Sequence, residues 1–187
     1  WDSLLRTSQL ASLMDAGTLD QFRNQIRKDA PPATAENIRA TLANLVGRAD
    51  EIFRMSLVQT FARLSSKFRT NGPFKIGERI IFSGIVQYER VRSYETWSWT
   101  YRGGGIVGRH IINDVDRIAH ILDGRAPPDP NEGLAAAMEA AIREKRQTAE
   151  TDLWEAKWFK NGNGHLKSKR PDLIEAMNRH IAVYFGD

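Results

Sequence analysis

Cysteine is absent from the 187 residues of this chain. Its absence excludes disulfides, Cys-ligated zinc, iron–sulfur clusters and thiol nucleophiles. Long apolar runs are also absent, since no stretch approaches the ~20 residues that a membrane helix needs. No basic segment followed by an apolar one opens the chain, as a secretory signal would. We therefore expect a cytoplasmic protein without a membrane partner.

Charge of one sign is in small excess. Lys and Arg number 27 against 23 Asp and Glu, which gives a net charge of +4 and a pI of about 9.5. Non-specific affinity for nucleic acid depends on how many phosphates are neutralised together, so clustering of the cations matters more than their total. The chain starts with Trp1 rather than Met, which favours a domain cut from a longer polypeptide.

The N-terminal part, residues 1–70, is predicted to be helical. Two short amphipathic segments precede Pro31-Pro32, and from Thr34 to Phe68 apolar residues recur every three or four positions. This period predicts one long amphipathic helix, or two helices with a kink near Gly47. We interpret it as a scaffold that packs on the rest of the domain, and alternatively as a contact surface for a partner protein.

Residues 71–187 combine strand and helix patterns. The nearly continuous apolar run Arg79–Val86 predicts a strand buried on both faces, and Tyr94–Tyr101 is an aromatic-rich extended segment. Helices are predicted over Ile111–Leu122 and Leu134–Gln147, and from Pro171 onward. The fold class is therefore α+β, mostly helical with a small antiparallel sheet and a C-terminal β-hairpin–helix (ββα) unit. We expect the two parts to form one compact domain.

The segment 154–170 is the most informative in the chain. A doubled Asn-Gly lies between two strand-like runs, which predicts a hairpin with a tight primed turn. Trp154 and Trp158 would share one strand face, as core residues or as platforms that stack on bases. The segment has one acid, Glu155, and five cations that we predict to contact phosphates: Lys157, Lys160, Lys167, Lys169 and Arg170. Hydrogen bonds to phosphate or base edges are expected from Asn161, Asn163 and His165.

A glycine-rich loop supplies a second group of candidates. Gly103-x-Gly105-x-x-Gly108 formally matches the dinucleotide fingerprint, but no parallel strand follows the next helix, as that site requires. The alternatives are a mobile loop or a phosphate cradle at the helix N-terminus. Arg102 and Arg109 are therefore second-rank nucleic-acid contacts. A further basic set is interpreted as a solvated face: Arg63, Lys67, Arg69, Lys75 and Arg79.

Two His–Asp pairs lie on the helix after that loop. His110 and Asp114 are four residues apart, as are Asp116 and His120, so each pair shares a helix face. Either pair suits a metal ion or acid–base chemistry, and the alternative is an ordinary ion pair. The two pairs are offset around the helix, which makes a single four-ligand site poor geometry. We therefore assign no metal and no cofactor.

The ββα unit raises two nuclease hypotheses. One is a metal-dependent nuclease of the His-Asn-His kind, with His165 as base and Asn178 or His180 from the final helix. The predicted turn is short for that site. The other uses Glu155-Ala156-Lys157 as the second half of an Asp…Glu-x-Lys motif, for which no upstream Asp is identified. Whether the protein is an enzyme stays open.

Three segments together resemble a family of unknown function. The closing signature is Phe159-Lys160-Asn161-Gly162-Asn163-x-His165-Leu166, followed by Lys169-Arg170-Pro171-Asp172-Leu173 and Asn178. It is joined by Phe74-Lys75-Ile76-Gly77-x-x-Ile80-Ile81 and by Asp114-x-Asp116-Arg117-Ile118-x-His120-x-Leu122-Asp123-Gly124. The resemblance spans roughly residues 20–187. The chain differs at Gly164, where the family tends to have an aliphatic residue, and at Ser168, where it tends to have an aromatic one.

The resemblance implies a setting for the protein. Similar proteins occur in phage, prophages and plasmids, and some are fused to or encoded beside adenine-type DNA methyltransferases. Our leading hypothesis is therefore a nucleic-acid-binding accessory domain of a mobile element, with DNA favoured, linked to DNA modification or anti-restriction. The first alternative is a metal-dependent nuclease that uses His165 or the helix with Asp114, Asp116 and His120. The second is a protein-interaction module that docks a methyltransferase in the same chain or operon.

Overall fold

The computed structural model describes residues 1, 3–4, 10–62, 75–87, 89–92, 97–100 and 106–186, and only the backbone of 89–92 and 97–100. Two groups of residues singled out in the sequence, a predicted contact with its loop and part of the basic set interpreted as a solvated face, lie outside these residues. One is Arg102 with the Gly103–Gly105 loop, and the other consists of Arg63, Lys67 and Arg69.

Two of the N-terminal helices, α1 and α2, begin where a side chain caps them. A short 3₁₀ helix, Leu10–Leu13, precedes α1 (Ala16–Asp29), α2 (Ala35–Gly47) and α3 (Ala49–Ala62). Asp15 accepts a hydrogen bond from the Thr18 amide at 2.7 Å, and Thr34 accepts one from the Asn37 amide at 3.2 Å. Such caps satisfy amides that the helix leaves unpaired. Over the described residues, the alternative of two helices that break near Gly47 is confirmed.

The strands form two antiparallel sheets within the described residues. The larger has the order β1-β6-β5-β4, and the smaller pairs β2 with β3. Their bounds are β1 Arg79–Phe82, β2 Glu89–Arg92, β3 Trp97–Thr100, β4 Thr148–Glu150, β5 Trp154–Trp158 and β6 Gly164–Ser168. Three further helices are α4 Arg109–Leu122, α5 Leu134–Arg143 and α6 Pro171–Gly186. The predicted α+β class, with a C-terminal hairpin followed by a helix, is confirmed.

One face of the larger sheet belongs to the hydrophobic core. Trp154, Ala156 and Trp158 alternate on β5 and are at most 3% exposed. They belong to one buried cluster with residues of the helices, such as Val115 on α4 and Met177 on α6. The core interpretation of the two tryptophans is therefore confirmed, and they do not form a stacking platform.

Two strand predictions need correction. The prediction of a β1 buried on both faces is wrong, because Ile80 and Phe82 are buried whereas Arg79 is exposed. The predicted tight hairpin turn is also wrong: β5 and β6 are joined by the five residues 159–163, and Trp158 pairs with Gly164. Only one of the two Asn-Gly glycines, Gly162, has positive φ (+85°).

Gly164 is required for packing rather than for a turn. A Cβ on Gly164 would lie 2.2 Å from Cδ1 of Ile85. Ile85 therefore fills the space that an aliphatic side chain at position 164 would occupy. The buried Ser168 hydroxyl donates to the Arg170 carbonyl and accepts from the Arg170 amide, each at 3.0 Å, at the turn into α6.

Candidate functional site

Side chains alternate along a strand, and those on the second face of the four-stranded sheet are exposed or half-buried. Strand pairing places residues from four strands side by side in two rows on this face. One row is Arg79, Lys167, Glu155 and Glu150, and the other is Ile81, His165, Lys157 and Thr148. We call this surface the open sheet face. It also includes Arg146 and Phe159, which border the same depression.

The depression on the open sheet face has a volume of about 580 Å³. Four cations line it, Arg79, Arg146, Lys157 and Lys167, against the two carboxylates of Glu150 and Glu155. The surface therefore has an excess of positive charge in a shallow basin. Such an arrangement attracts anions and favours an extended anion over a small enclosed one.

His165 lies within this basin. It pairs directly with Lys157 on β5 and with Ile81 on β1. Its ring meets the Phe159 ring edge to face, with centroids 4.9 Å apart. Burial lowers the pKa of His165, and the nearby charges of Arg79 and Lys157 lower it further. The imidazole is therefore neutral at pH 7, which leaves a ring nitrogen able to accept a proton.

The cations of the basin differ in how they are engaged. Within the described part of the chain, no carboxylate forms an ion pair with Arg79 or Lys157. The Lys157 ammonium lies 5.6 Å from the centroid of the Phe159 ring. Lys167 is 3.5 Å from Glu155 and half exposed, and Arg146 pairs with Glu144 at 2.5 Å. Exposed pairs of this kind contribute little stability, so an incoming phosphate can compete for the same cations.

Two of the predicted phosphate contacts, Lys169 and Arg170, lie just after β6 and form ion pairs with carboxylates. Arg170 donates to Asp123 at 2.8 Å and to Asp172 at 2.7 Å. The bond to Asp172 contributes most to raising the Arg170 pKa. Lys169 forms an ion pair with Glu150. Lys160 lies exposed in the 159–163 loop.

The side chains of Asn161 and Asn163 build the loop itself. Asn161 Oδ1 accepts from the Asn163 amide at 3.0 Å, which is an Asx-type turn. Asn163 Oδ1 accepts from the Gly84 amide at 3.3 Å and so ties the loop to the segment after β1. These contacts give both residues a structural role, in addition to the predicted hydrogen bonding to a ligand.

Arg109 connects three elements at the start of α4. Its Nη1 donates to both carboxylate oxygens of Glu139 on α5, at 2.9 and 3.0 Å. It also donates to the Pro130 carbonyl at 2.6 Å and to Asn131 at 3.2 Å. These partners occupy the guanidinium and leave it poorly placed for a phosphate.

The acidic residues of α4 stabilise neighbouring elements. Asp114 accepts from the Ala16 amide at 3.3 Å and lies 3.6 Å from the Arg117 guanidinium. Asp116 Oδ2 accepts from the Leu134 amide at 2.9 Å, at the first turn of α5, where a negative charge is favourable. The two carboxylates therefore bind the first turns of different helices, Asp114 that of α1 and Asp116 that of α5, and do not form one site.

The second oxygen of the Asp116 carboxylate, Oδ1, is close to His120. His120 Nδ1 lies 3.3 Å from Asp116 Oδ1 and 2.9 Å from the Asp116 carbonyl. Burial raises the pKa of Asp116, although the Leu134 amide and His120 oppose this shift. The Trp154 indole N–H also lowers the Asp116 pKa, although it is not close or well enough aligned to form a hydrogen bond. No cluster of three potential metal ligands occurs among the residues that the structure describes.

The proposed partners of His165 in a His-Asn-His site are engaged elsewhere. Asn178 accepts from the Ile76 amide at 2.8 Å and donates to the Ile76 carbonyl at 2.9 Å. The His180 ring packs edge to face on Phe53, with centroids 5.4 Å apart. Among the described residues, the structure therefore assembles no such site around His165.

Arg79 and Arg146 are functional candidates that the sequence interpretation missed. From the sequence we interpret Arg79 as part of a solvated face, and Arg146 is not among the predicted contacts. The alternation Arg79, Ile80, Ile81, Phe82 indicates that Arg79 faces away from the core. That Lys167 lies beside Arg79, however, depends on the pairing of β1 with β6, which are distant in sequence, so the local sequence does not reveal it.

The comparisons with known proteins identify a family. A family model described as "Domain of unknown function (DUF4942)" matches residues 1–187, so the chain belongs to this family. No match was found among curated proteins or among solved structures. In the described part of the chain, no helix has both the length and the apolar character needed to cross a membrane.

Proposed function

We propose that this member of the DUF4942 family binds nucleic acid through its open sheet face. The observation that carries the proposal is the set of four cations that line a solvent-open basin on the larger sheet. Arg79 and Lys157 have no carboxylate partner in the described residues, so their charge is available to a ligand. Phosphates that bind such cations release condensed counterions, which favours association at low salt.

The shape of the surface favours a single strand over a duplex. The outer strands of a four-stranded sheet lie about 14 Å apart, since neighbouring strands are separated by ~4.8 Å. The major groove is about 12 Å wide and admits a helix or a two-stranded ribbon rather than such a sheet. A flexible single strand can lie across the basin and contact cations from several strands.

The biological setting of the proposal comes from the family resemblance. Similar proteins in phage, prophages and plasmids, some beside adenine-type DNA methyltransferases, favour DNA as the ligand and an accessory role in DNA modification or anti-restriction. Transient single strands arise when mobile DNA is transferred or replicated. The basin would hold such a strand by its backbone, with Lys160 of the adjoining loop as a further cation.

The proposal is tested by fluorescence anisotropy with labelled single-stranded DNA, single-stranded RNA and duplex DNA of one sequence. The test variant replaces Arg79, Lys157 and Lys167 by Ala. The matched control replaces three exposed cations on α1 and α2 by Ala: Arg27, Lys28 and Arg39. Both variants lose the same net charge, so a difference between them reports position rather than total charge.

We expect the sheet-face variant to bind single strands at least tenfold more weakly than the wild type at low salt. The control should change affinity less than threefold. Equal losses in the two variants would show that binding follows net charge alone and would refute the assignment to this face. Absence of binding to every nucleic acid would refute the function itself.

A further inference from the structure

His165 is placed as a proton acceptor among cations on the open sheet face. Directly opposite side chains on paired strands have Cβ atoms about 5 Å apart, and diagonal ones about 7–8 Å. Lys157 lies opposite His165, whereas Arg79 and Lys167 lie diagonally or two residues away. Within the described residues, neither ring nitrogen of His165 has a hydrogen-bond partner, so the imidazole can contact a ligand.

We propose that this face, when the bound strand is RNA, also cleaves it, with His165 as the general base. The inference rests on the proposed nucleic-acid binding. A phosphate held by Arg79 and Lys157 would bring the 2′-hydroxyl of the attached ribose next to the imidazole between them. DNA lacks this hydroxyl and would be bound but not cut.

The reaction is an internal transesterification. His165 takes the 2′-hydroxyl proton as the 2′-oxygen forms its bond to phosphorus. The bond between phosphorus and the 5′-oxygen then breaks, and the Lys157 ammonium gives a proton to that leaving oxygen. The products are a 2′,3′-cyclic phosphate and a 5′-hydroxyl, and solvent returns the proton from His165 to Lys157. Arg79 stabilises the charge that builds on the phosphoryl oxygens.

His165 suits the role of base better than Glu155. The Glu155 carboxylate is 3.5 Å from the Lys167 ammonium, which holds it in an ion pair. Cations surround His165 from three strands: Arg79 on β1, Lys157 on β5 and Lys167 on its own strand. Of the carboxylates on this face, Glu155 lies diagonally from His165 in the same row as Arg79 and Lys167, and Glu150 lies one strand further away.

The test uses three labelled oligonucleotides of one sequence: all DNA, all RNA, and DNA with a single ribonucleotide. The wild-type protein should cleave the second at many positions and the third only after the ribonucleotide, in the presence of EDTA. The 5′ fragment should carry a 2′,3′-cyclic phosphate that acid opens. The all-DNA strand should remain intact while it binds.

His165→Gln should lower the cleavage rate at least ~100-fold, the usual contribution of a general base, with a much smaller change in affinity. The matched control is His110→Gln, at an exposed position on α4, prepared in parallel to reveal contaminating nuclease. The wild-type rate should fall at acid pH with a midpoint below 6.5, as His165 becomes protonated.

Each other outcome is decisive. Binding of RNA without cleavage would overturn this inference and leave the proposed binding intact. Equal cleavage by wild type and His165→Gln, or loss of activity in EDTA, would overturn it as well. Absence of binding would refute the proposed function together with the inference.

Discussion

Asn178 of α6 holds both backbone polar groups of Ile76, a residue 102 positions earlier in the chain. Its amide group accepts from the Ile76 N–H at 2.8 Å and donates to the Ile76 carbonyl at 2.9 Å. Ile76 is 1% exposed, so water cannot replace these bonds. The pair joins the final helix to the segment that leads into β1, the strand that supplies Arg79.

Replacement of Asn178 by Leu should destabilise the protein by about 2–4 kcal/mol, because two buried backbone groups lose their partners. Asn178→Asp keeps the acceptor but loses the donor, so its cost should be intermediate. Urea unfolding measures both, with the exposed neighbour Arg179→Ala as the control. A cost for Asn178→Leu no larger than that of the control would show that these bonds contribute nothing.

Gly164 and Ile85 should show strong energetic coupling. Gly164→Ala alone forces Ile85 to move, since the new Cβ would lie 2.2 Å from Cδ1 of Ile85, and we expect a loss of about 1–3 kcal/mol. In the Ile85→Ala background the same change should be neutral or stabilising, because the space is then empty. A double-mutant cycle from denaturant unfolding measures the coupling. Additive costs would contradict the described packing.

Asp116→Asn should change the dependence of stability on pH. Burial raises the Asp116 pKa above 3.8, so the folded state holds this proton more strongly than the unfolded state. Its contribution to stability is complete below 3.8 and is lost as pH rises through the raised value. The Asn side chain stays neutral, and the variant should therefore gain stability relative to wild type as pH rises.

Asp152→Asn provides a control in which the change of stability with pH should have the opposite sign. The hydrogen bond from Arg125 is the main cause that lowers the Asp152 pKa. The folded state therefore favours the ionised form of this exposed carboxylate more than the unfolded state does. This variant should lose stability relative to wild type as pH rises past that pKa. Urea unfolding over a pH series tests both, and a pH-independent difference for Asp116→Asn would contradict the account.

Arg170 and Arg79 should differ in their importance for binding. Arg170 is held by Asp123 and Asp172, whereas Arg79 points into the basin without a carboxylate partner in the described residues. Arg79→Gln should therefore weaken binding of a single strand severalfold, and Arg170→Gln should change it less than twofold. Anisotropy titrations at low salt compare the two variants. A larger loss for Arg170→Gln would move the binding surface from the open sheet face to the end of β6.

Much of the fold follows from local sequence signals. The helix from Pro171, the end of α4 before Gly124 and the break near Gly47 all depend on residues close to one another, and the structure agrees with each. The turn between β5 and β6 was mispredicted because Phe159, Asn161 and Asn163 form a wider loop through their own hydrogen bonds. A doubled Asn-Gly does not reveal which of its glycines will turn the chain.

The candidate site was predictable only in part. Lys157, His165 and Lys167 lie in one hairpin, so the sequence indicates that they are neighbours. Arg79 lies beside them because β1 pairs with β6. Arg170 is bound by Asp123, which lies 47 residues earlier in the chain. Partners of this kind are set by tertiary packing. Charge clustering along the chain therefore identified a basic surface but not the cations that remain available on it.

The salt dependence of single-strand binding tests the central claim most directly. Four cations in contact with phosphates give a negative slope with a magnitude of about 3 in a plot of log affinity against log salt. The variant with Arg79, Lys157 and Lys167 replaced by Ala should lower that magnitude to about 1, whereas the control with Arg27, Lys28 and Arg39 replaced should keep it. An unchanged slope in the first variant would contradict nucleic-acid binding by the open sheet face.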